Sequence, residues 1–310
     1  MVVNSHVTSI YVVRSKTVEV EPLKLNSVEL PATMVIFTLI RHGESTDNLL
    51  PIWAGWRDAL LSNHGMNQAK ALGASLADTH FTVIHTSDLK RALMTAEAVQ
   101  SSQKSDPKPL LVPSTLLREQ NYGLASGKPF AKDRLPGLSL EEHFARGVYP
   151  TIYNRTEKYP EGESATDLSR RAVQAVEDIL LPYTQQDSPG SQIHIAIASH
   201  GVFISEVVEA LLRMDTESGS QHLPNQYMGL SNTGWVRVRV ECLPATEVSA
   251  VSRSARPSLK VEVTDFNRNE HLSSVVRQKG GIGSAAHDPM QKDIRTFFGG
   301  GLLRKPESSN

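Results

Sequence analysis

The sequence predicts an α/β fold, a three-layer α/β/α sandwich with a mainly parallel central sheet. Two apolar runs, 34–40 and 193–199, are rich in β-branched residues, and a His-Gly pair follows each of them closely. Short apolar runs of this kind are typical of strands that are buried on both faces of a parallel sheet. Segments with helical periodicity lie between such runs, and strands that alternate with helices favour a sheet with helices on both faces.

The first half of the predicted sandwich contains three strands and two helices. The run at 34–41 is the first core strand, 83–86 is a second short strand, and 109–112 is a third. Ser62 is suited to cap a helix over 62–78, because its hydroxyl can accept from a free amide of the first turn. A second helix, over 88–103, carries one apolar stripe at helical spacing. The stripe consists of Leu89, Ala92, Leu93, Ala96 and Val99.

The second half begins with segment 120–160, which is irregular and rich in Gly and Pro apart from one helix at 140–146. Long irregular segments inside a compact domain are usually lids or binding loops. Four further elements follow: a helix over 164–183, a strand at 193–199, a helix over 202–213 and a strand at 235–240. The alternation in 235–240 predicts a half-exposed edge strand, with which 260–263 is expected to pair.

The composition limits the classes of protein to which the chain can belong. It has 310 residues and a formal net charge of -1, which argues against a nucleic-acid binder that relies on excess Lys and Arg. Cys242 is the single cysteine, so no intrachain disulfide can form. No apolar run approaches the length needed to cross a bilayer, and no signal peptide is expected. A cytoplasmic protein is therefore the default expectation, with the nucleus as a second location.

The chain is expected to have three segments. Residues 1–33 form an N-terminal extension that is peripheral or disordered, because prolines interrupt it after one short apolar run. Residues 34–266 form the folded domain. The composition changes near residue 267, where glycines stand among Ser, Asn, Lys and Arg, so 267–310 is predicted to be a flexible C-terminal tail.

Two histidines stand directly after two of the predicted strands. Arg41 and His42 end the first strand, and His200 and Gly201 follow the fourth. Because parallel strands end at the same edge of a sheet, where α/β folds place ligands, both imidazoles can lie in one pocket. A guanidinium beside paired imidazoles suits a phosphoryl group, which carries nearly two negative charges at neutral pH.

Six blocks of the sequence occur in the order typical of one enzyme family. They are Arg41-His42-Gly43-Glu44-Ser45; Ala54-Gly55-Trp56; Thr86 to Ala92 with Thr95-Ala96; Leu117-Arg118-Glu119; Gly162-Glu163-Ser164; and Ser199-His200-Gly201. Over residues 34–240 the chain resembles the histidine phosphatase superfamily, also called the phosphoglycerate mutase-like family. The resemblance implies a phosphoglycerate mutase-like fold, with 34–266 as a histidine phosphatase domain. It also implies phosphoryl transfer through a phosphohistidine, without a metal or a cofactor.

The resemblance assigns the chemistry to three residues. His42 is the candidate nucleophile, since a neutral imidazole can take a phosphoryl group and release it again. The carbonyl of Gly43 is expected to set the tautomer of this ring. Glu119 is the candidate general acid and base, and His200 is the third catalytic candidate, which adds charge if protonated and one hydrogen bond if neutral. Glu163, in contrast, is expected to hold a loop or an arginine.

A second group of residues is predicted to bind the phosphate of the substrate. These residues are Arg41, Asn48, Arg91, His200 and Gly201. Two planar guanidinium groups can spread the charge that develops in the transition state. Arg91 also lies in the first turns of a predicted helix, where free amides favour an anion. Asn48 matches a family position whose side-chain amide reaches the phosphoryl group.

Departures from the family pattern predict the branch of the family. Glu119 is followed by Gln120 and Asn121 where mutases have an arginine, and no Arg-Arg pair precedes Pro160. Apolar residues follow Gly201, as in many phosphatases. We therefore predict a phosphatase that hydrolyses phosphomonoesters. The alternatives are a cofactor-dependent phosphoglycerate mutase, a sugar bisphosphatase, and a catalytically weak adaptor that binds a partner through its C-terminal tail.

The predicted tail contains a second pattern within 291–298, formed by Gln291, Ile294, Phe297 and Phe298. It resembles the motif by which short peptides dock on DNA sliding clamps, because one turn of helix would gather the three apolar side chains into a plug. The other interpretation is a segment that folds back onto the domain. The expected partners are a small phosphorylated substrate and a sliding clamp, with no direct nucleic-acid contact and no membrane.

Overall fold

The structure, a computed structural model, describes residues 34–131, 133–185, 192–216, 226–243, 258–288 and 290. The predicted extension at 1–33 and the motif at 291–298 therefore lie outside the described residues. Within the described part of the chain, no helix is long and apolar enough to cross a membrane.

A mostly parallel sheet of six strands forms the centre of the fold. The described residues form eight strands, of which six belong to this sheet: β1 (Met34–Arg41), β2 (Val83–Ser87), β3 (Leu110–Ser114), β4 (Phe130–Ala131), β5 (Tyr149–Pro150), β6 (Gln192–Ser199), β7 (Trp235–Cys242) and β8 (Leu259–Arg268). The order across the sheet is β3-β2-β6-β1-β7-β8, and β4 pairs separately with β5. Strands β3, β2, β6 and β1 run parallel to one another. Strand β7 pairs antiparallel with β1 on one side and with β8 on the other. The predicted α/β class with a mainly parallel sheet is confirmed.

Helices cover both faces of the sheet. They are α1 (Asn63–Ser75), α2 (Lys90–Ser102), α3 (Leu140–Ala145), α4 (Ala165–Ala175), α5 (Leu181–Thr184) and α6 (Gly201–Leu212). Ser62 caps α1 as predicted, since its hydroxyl accepts from an amide of the first turn at 2.9 Å. Leu72 of α1 and Val99 of α2 belong to the core on one face. Leu168 of α4 and Phe203 of α6 belong to the core on the other face.

The pairing of β1 with β6 brings the two His-Gly pairs to one edge of the sheet. The two strands are parallel, and Arg41 stands opposite Ser199. The amide of His42 donates to the carbonyl of Ser199 at 3.0 Å, so His42 and His200 leave their strands side by side. Strand β2, on the other side of β6, ends at Ser87 close to the same edge. Three parallel strands therefore deliver their carboxyl ends to one site.

Strand β7 is not an edge strand, contrary to the prediction. It lies between β1 and β8, and β8 is longer than the predicted 260–263. The alternation that suggested an edge has another cause. Val236, Val238 and Val240 are buried beneath the helices on one face of the sheet, whereas Arg237 lies on the opposite face because side chains alternate along a strand.

The predicted helix over 164–183 is interrupted near its end. Helix α4 ends at Ala175, residues 176–180 form a wider π-helical turn, and α5 begins at Leu181. Pro182 has no N–H to donate to the preceding turn, and its ring crowds the carbonyl four residues earlier. A regular α-helix therefore cannot run through this position, and the wider turn accommodates the ring.

The predicted boundary between domain and tail also differs from the structure. Two short 3₁₀ helices, Glu270–Ser274 and Ile282–Ser284, follow β8. The amide of Asn63, at the start of α1, donates to the carbonyl of Ala285 at 2.9 Å. Residues 267–288 are thus held against the domain by hydrogen bonds of both the main chain and side chains, which a flexible-looking composition does not reveal.

Residues 120–160 form a cap with an aromatic centre. The predicted helix at 140–146 is present as α3, and β4 and β5 pair within the same segment. Trp53 packs against Tyr122, Phe130 and Tyr159 with ring centroids 5.0, 5.8 and 5.3 Å away. The cap therefore has its own small core, attached to the loop that precedes α1.

Candidate active site

His42 lies immediately beyond β1 and is 4% exposed. Its Nδ1 lies 2.7 Å from the carbonyl oxygen of Gly43. A carbonyl can only accept, so Nδ1 carries the proton and donates. The Nε2 is left with its lone pair, and it accepts from Nε of Arg91 at 3.3 Å. This is the tautomer that the sequence analysis expected from the carbonyl of Gly43.

The surroundings of His42 also keep its ring neutral. Burial, and after it the charges of Arg91 and Arg41, hold the pKa of His42 well below that of a free histidine. The hydrogen bond to Gly43 opposes this shift without reversing it. An unprotonated Nε2 is the form that a nucleophile needs, and here it is available at neutral and mildly acidic pH.

Arg91 lies in the first turn of α2 and is 2% exposed. Besides the contact with His42, its Nη1 donates to the carbonyl of Arg57 at 2.7 Å and its Nη2 to that of Gly55 at 2.8 Å. Two backbone carbonyls of the loop before α1 therefore fix the plane of the guanidinium. Burial lowers the pKa of Arg91, partly offset by the charge of Glu119. An arginine nevertheless remains cationic in a protein.

His200 lies beside His42 and is fully buried. The two ring centroids are 5.1 Å apart in an edge-to-face arrangement. The Nε2 of His200 lies 2.9 Å from Oγ of Ser87, while its Nδ1 has no hydrogen-bond partner among the described residues. Burial, and then the charge of Arg91, lower the pKa of His200 well below that of a free histidine. A phosphoryl oxygen could supply the missing partner.

Arg41 and Gly201 complete the predicted phosphate pocket. Nη1 of Arg41 donates to the carbonyl of Leu230, but its buried Nε has no partner in the part of the chain that the structure describes. Gly201 opens α6 next to this guanidinium, since a Cβ at Gly201 would lie 3.5 Å from Nε of Arg41. A buried donor without an acceptor is costly, so the unpaired Nε of Arg41 indicates a place for an anion, to which His200 can donate in the tautomer that carries the proton on Nδ1.

Glu119 turns its carboxylate toward the start of α6. Oε1 accepts from the amides of Phe203 and Gln120, both at 3.1 Å, and Oε2 accepts from the amide of Val202 at 3.4 Å. The first amides of a helix have no partner within the helix and favour an acceptor of this kind. The charge of Glu119 also acts on Arg91 and raises its pKa against burial, which places the carboxylate beside the phosphate-binding groups.

Asn48 differs from the other predicted site residues. It is exposed, and its Oδ1 accepts from the amide and the hydroxyl of Ser45 at 3.0 and 3.1 Å. These bonds form a capping box for the 3₁₀ turn Thr46–Leu49. The described hydrogen bonds of Asn48 therefore stabilise the loop after His42, and only its Nδ2 is left to reach a phosphoryl group.

Several residues that support the site were not assigned from the sequence. Thr95 accepts from the amide of Gly43 at 3.0 Å and donates to the carbonyl of Arg91 at 2.7 Å. The sequence could have indicated this role of Thr95, because the residue belongs to the family block that begins at Thr86. Asn232 donates to the carbonyl of His42 at 3.2 Å from 190 residues away. No local spacing could have indicated that contact.

The charge at the site comes from arginines. Among the residues that the structure describes, no group of three or more His, Cys, Asp or Glu side chains is placed to hold a metal ion. Arg41 and Arg91 both act electrostatically on the two imidazoles. The arrangement can thus bind a dianion next to an unprotonated nitrogen.

Comparisons with known proteins show the family of the chain. The model of the Histidine phosphatase superfamily (branch 1) matches residues 37–241. Fructose-2,6-bisphosphatase TIGAR B of Danio rerio is 28% identical over 191 residues, which cover 56% of this chain and 74% of that protein. The 2,3-bisphosphoglycerate-dependent phosphoglycerate mutase of Bartonella henselae is 32% identical over 182 residues, which cover 58% of this chain and 82% of the mutase.

A solved structure supports the fold. The native structure of mycobacterial glucosyl-3-phosphoglycerate phosphatase superposes with a TM-score of 0.54 at 20% sequence identity. The match covers 76% of this chain and 99% of that chain. The two proteins therefore share the arrangement of strands and helices that surrounds the site.

Proposed function

Because the chain belongs to the histidine phosphatase superfamily, we propose that it hydrolyses phosphomonoesters through a phosphohistidine intermediate at His42. The neutral, buried ring of His42 carries this proposal, because its Nε2 accepts a hydrogen bond from the fixed guanidinium of Arg91. A nucleophile beside a cation, in a pocket with unpaired donors, is suited to phosphoryl transfer.

The first step transfers the phosphoryl group to the enzyme. The lone pair of His42 Nε2 attacks phosphorus, and the bond between phosphorus and the leaving oxygen breaks. Glu119 has to enter this step in its protonated form, and it gives that proton to the leaving oxygen, so that the alcohol leaves as a neutral molecule. Arg41 and Arg91 stabilise the charge on the other phosphoryl oxygens, and His200 donates one further hydrogen bond.

The second step returns the enzyme to its starting state. Water attacks the phosphorus of the phosphohistidine, and the bond between phosphorus and Nε2 breaks. Glu119, now ionised, takes the proton of the attacking water and is ready to act as an acid again. Inorganic phosphate leaves, and His42 recovers the lone pair on Nε2. The positive charge that balances the phosphoryl group in this scheme comes from Arg41 and Arg91.

The arginines of the cap favour a phosphatase over a mutase. A mutase would need free arginines to bind a second anionic group of its substrate, whereas two of the three arginines here are paired. Residues 120–160 contain three arginines. Arg134 pairs with Glu157, and Arg155 pairs with Glu206, each at 2.7 Å. The third, Arg146, is exposed at the end of α3.

We place the leaving group beside aromatic side chains of the cap. Tyr122 lies against Gly55, the residue whose carbonyl accepts from Arg91. A Cβ at position 55 would lie only 3.0 Å from Cδ2 of the tyrosine ring. Phe130, at the outer end of the same aromatic group, is 48% exposed. The rings of Tyr122 and Phe130 suit the carbon skeleton of an organic phosphate better than a second phosphate group. A sugar bisphosphatase is the second candidate, because the chain is similar to Fructose-2,6-bisphosphatase TIGAR B.

Phosphate release by the purified chain tests the proposed function. We expect hydrolysis of p-nitrophenyl phosphate, followed by a ranking of sugar phosphates, phosphoglycerates, nucleotides and phosphopeptides by kcat/KM. Interconversion of phosphoglycerates in the presence of 2,3-bisphosphoglycerate is expected to be slower than hydrolysis. Faster interconversion would support the mutase, and no release from any compound would support the adaptor.

We further propose that residues 291–298 dock on a DNA sliding clamp. The support is the pattern of Gln291, Ile294, Phe297 and Phe298. Met290, the described residue next to the motif, is 84% exposed. With a clamp as partner, we expect a nuclear pool of the protein beside a cytoplasmic one.

The double variant Phe297→Ala/Phe298→Ala tests the clamp proposal. It removes both aromatic side chains of the plug, so recovery of purified clamp on the immobilised full chain is expected to fall by at least about tenfold. Leu302→Ala/Leu303→Ala is the matched control, because it truncates two apolar residues of the tail outside the motif. Equal clamp recovery by wild type and by the phenylalanine variant would rule the proposal out.

A further inference from the structure

Arg171 uses its whole guanidinium inside the protein, next to the loop that carries Glu119. It lies on α4, and its side chain is only 12% exposed. Nε and Nη2 donate to the two carboxylate oxygens of Glu163, each at 2.8 Å. The remaining donors reach three backbone carbonyls rather than solvent.

Those three carbonyls belong to the segment that ends at Glu119. Nη1 of Arg171 donates to Leu116 and Arg118 at 2.9 and 2.7 Å, and Nη2 donates to the carbonyl of Glu119 itself at 3.0 Å. One planar cation therefore fixes the backbone on the N-terminal side of the proposed general acid. A lysine could not reproduce this pattern, because it has one ammonium instead of a rigid fork of five donors.

Glu163 fixes the backbone on the other side of Glu119. The amide of Asn121 donates to Oε2 of Glu163 at 2.9 Å. The side-chain Nε2 of Gln120 donates to the backbone carbonyl of Glu163, also at 2.9 Å. Arg171 and Glu163 thus hold the loop from both directions. Neither side chain is needed as a proton donor in the proposed mechanism.

Arg171 also contacts the element that holds the carboxylate of Glu119. The centre of its guanidinium lies 4.8 Å from the ring of Phe203, near the start of α6. The amide of that same phenylalanine donates to Oε1 of Glu119 at 3.1 Å. One side chain therefore sets both the backbone position of Glu119 and the helix start against which its carboxylate rests.

We propose that Arg171, clamped by Glu163, is the positioning residue for proton transfer by Glu119. The inference rests on the proposed function, and it concerns leaving groups that must be protonated as they depart. An error of about 1 Å in the place of a reacting group can cost about 10²-fold in rate. Loss of the clamp should therefore slow phosphoryl transfer from alkyl phosphates and spare compounds whose leaving oxygen departs without a proton.

The variant Arg171→Lys tests this proposal through the dependence on the leaving group. We expect kcat/KM for glycerol 2-phosphate to fall by about tenfold or more, because the alkoxide needs a proton. For p-nitrophenyl phosphate, whose phenolate leaves readily, we expect a change of less than about threefold. Arg170→Lys is the matched control on the same helix, because Arg170 is 73% exposed and pairs only with Asp167 among its described contacts.

A second variant keeps the proposal testable if Arg171→Lys does not fold. Glu163→Gln retains the shape of the clamp but removes its charge, and it should show the same selective loss at smaller size. Equal losses on both compounds, or no loss on glycerol 2-phosphate in a folded variant, would overturn the proposal. If Glu119→Gln itself shows no selectivity between the two compounds, the assigned role of Glu119 fails and this inference with it, whereas phosphate release that is lost in His42→Ala would still support the proposed function.

Discussion

Replacing His42 with alanine is expected to lower kcat for phosphate release by about 10⁴-fold or more, because the nucleophile is lost and water must attack the ester directly. The fold should survive, since the ring forms hydrogen bonds with a backbone carbonyl and one guanidinium and is not part of either large apolar core. Rapid-quench experiments with ³²P-labelled substrate should trap an acid-labile adduct on the wild type and none on the variant.

The control for this prediction is His80→Ala, which removes an exposed imidazole from the loop before β2. Its kcat should match that of the wild type. If His42→Ala kept more than about a tenth of the activity, or still formed the labelled adduct, another residue would have to be the nucleophile.

The environment of His42 also determines the expected pH dependence of its phosphorylation. Its pKa lies well below the usual value of 6.5, first through burial and then through Arg91 and Arg41. A group with a lowered pKa stays unprotonated until the pH falls below that value. The single-turnover rate of phosphorylation should therefore stay level from pH 8 to 6.5, whereas an ordinary histidine would lose half of its nucleophile at the lower end.

The second large effect is expected from Glu119→Gln. Glutamine keeps the shape of the side chain and can still accept from the amide of Phe203, but it can neither donate nor take the proton. For alkyl phosphates we expect kcat/KM to fall by about 10²- to 10⁴-fold, which is the usual contribution of general acid catalysis. For p-nitrophenyl phosphate the first step should be nearly unchanged.

The same variant should separate the two chemical steps. Because the attacking water loses its base, the phosphohistidine should accumulate, and p-nitrophenol should appear as a burst followed by slow turnover. Glu97→Gln, an exposed glutamate on α2, is the control and should behave as the wild type. A uniform loss on good and poor leaving groups, without a burst, would assign Glu119 to binding rather than to proton transfer.

The local sequence was informative wherever the chemistry depends on residues at strand ends. The apolar runs of β1 and β6 and the His-Gly pairs behind them predicted a parallel sheet with both imidazoles at one edge. The structure pairs these strands directly and leaves the ring centroids of His42 and His200 5.1 Å apart. The pattern of apolar residues in a strand is a consequence of burial, and burial is encoded residue by residue.

The same local view failed where a contact joins distant segments. It took β7 for an edge strand and residues 267–288 for a free tail, because alternation and a Gly-rich composition do not report which neighbour covers a segment. Local spacing also did not show that Oδ1 of Asn48 serves its own turn, and the contact of its Nδ2 with a phosphoryl group stays a prediction. These outcomes depend on long-range packing and on local competition for hydrogen bonds.

The sequence by itself determined the fold class, through its apolar runs, and the family, through the resemblance of its motifs, and it supplied the candidate reactive side chains. Only the tertiary structure decided how those side chains are held. The carbonyls of Gly55 and Arg57 aim Arg91, and Arg171 secures the loop of Glu119. Every residue has a backbone carbonyl, so the sequence does not indicate which carbonyl accepts a given hydrogen bond. The fold determines which carbonyls lie within reach of the guanidinium groups.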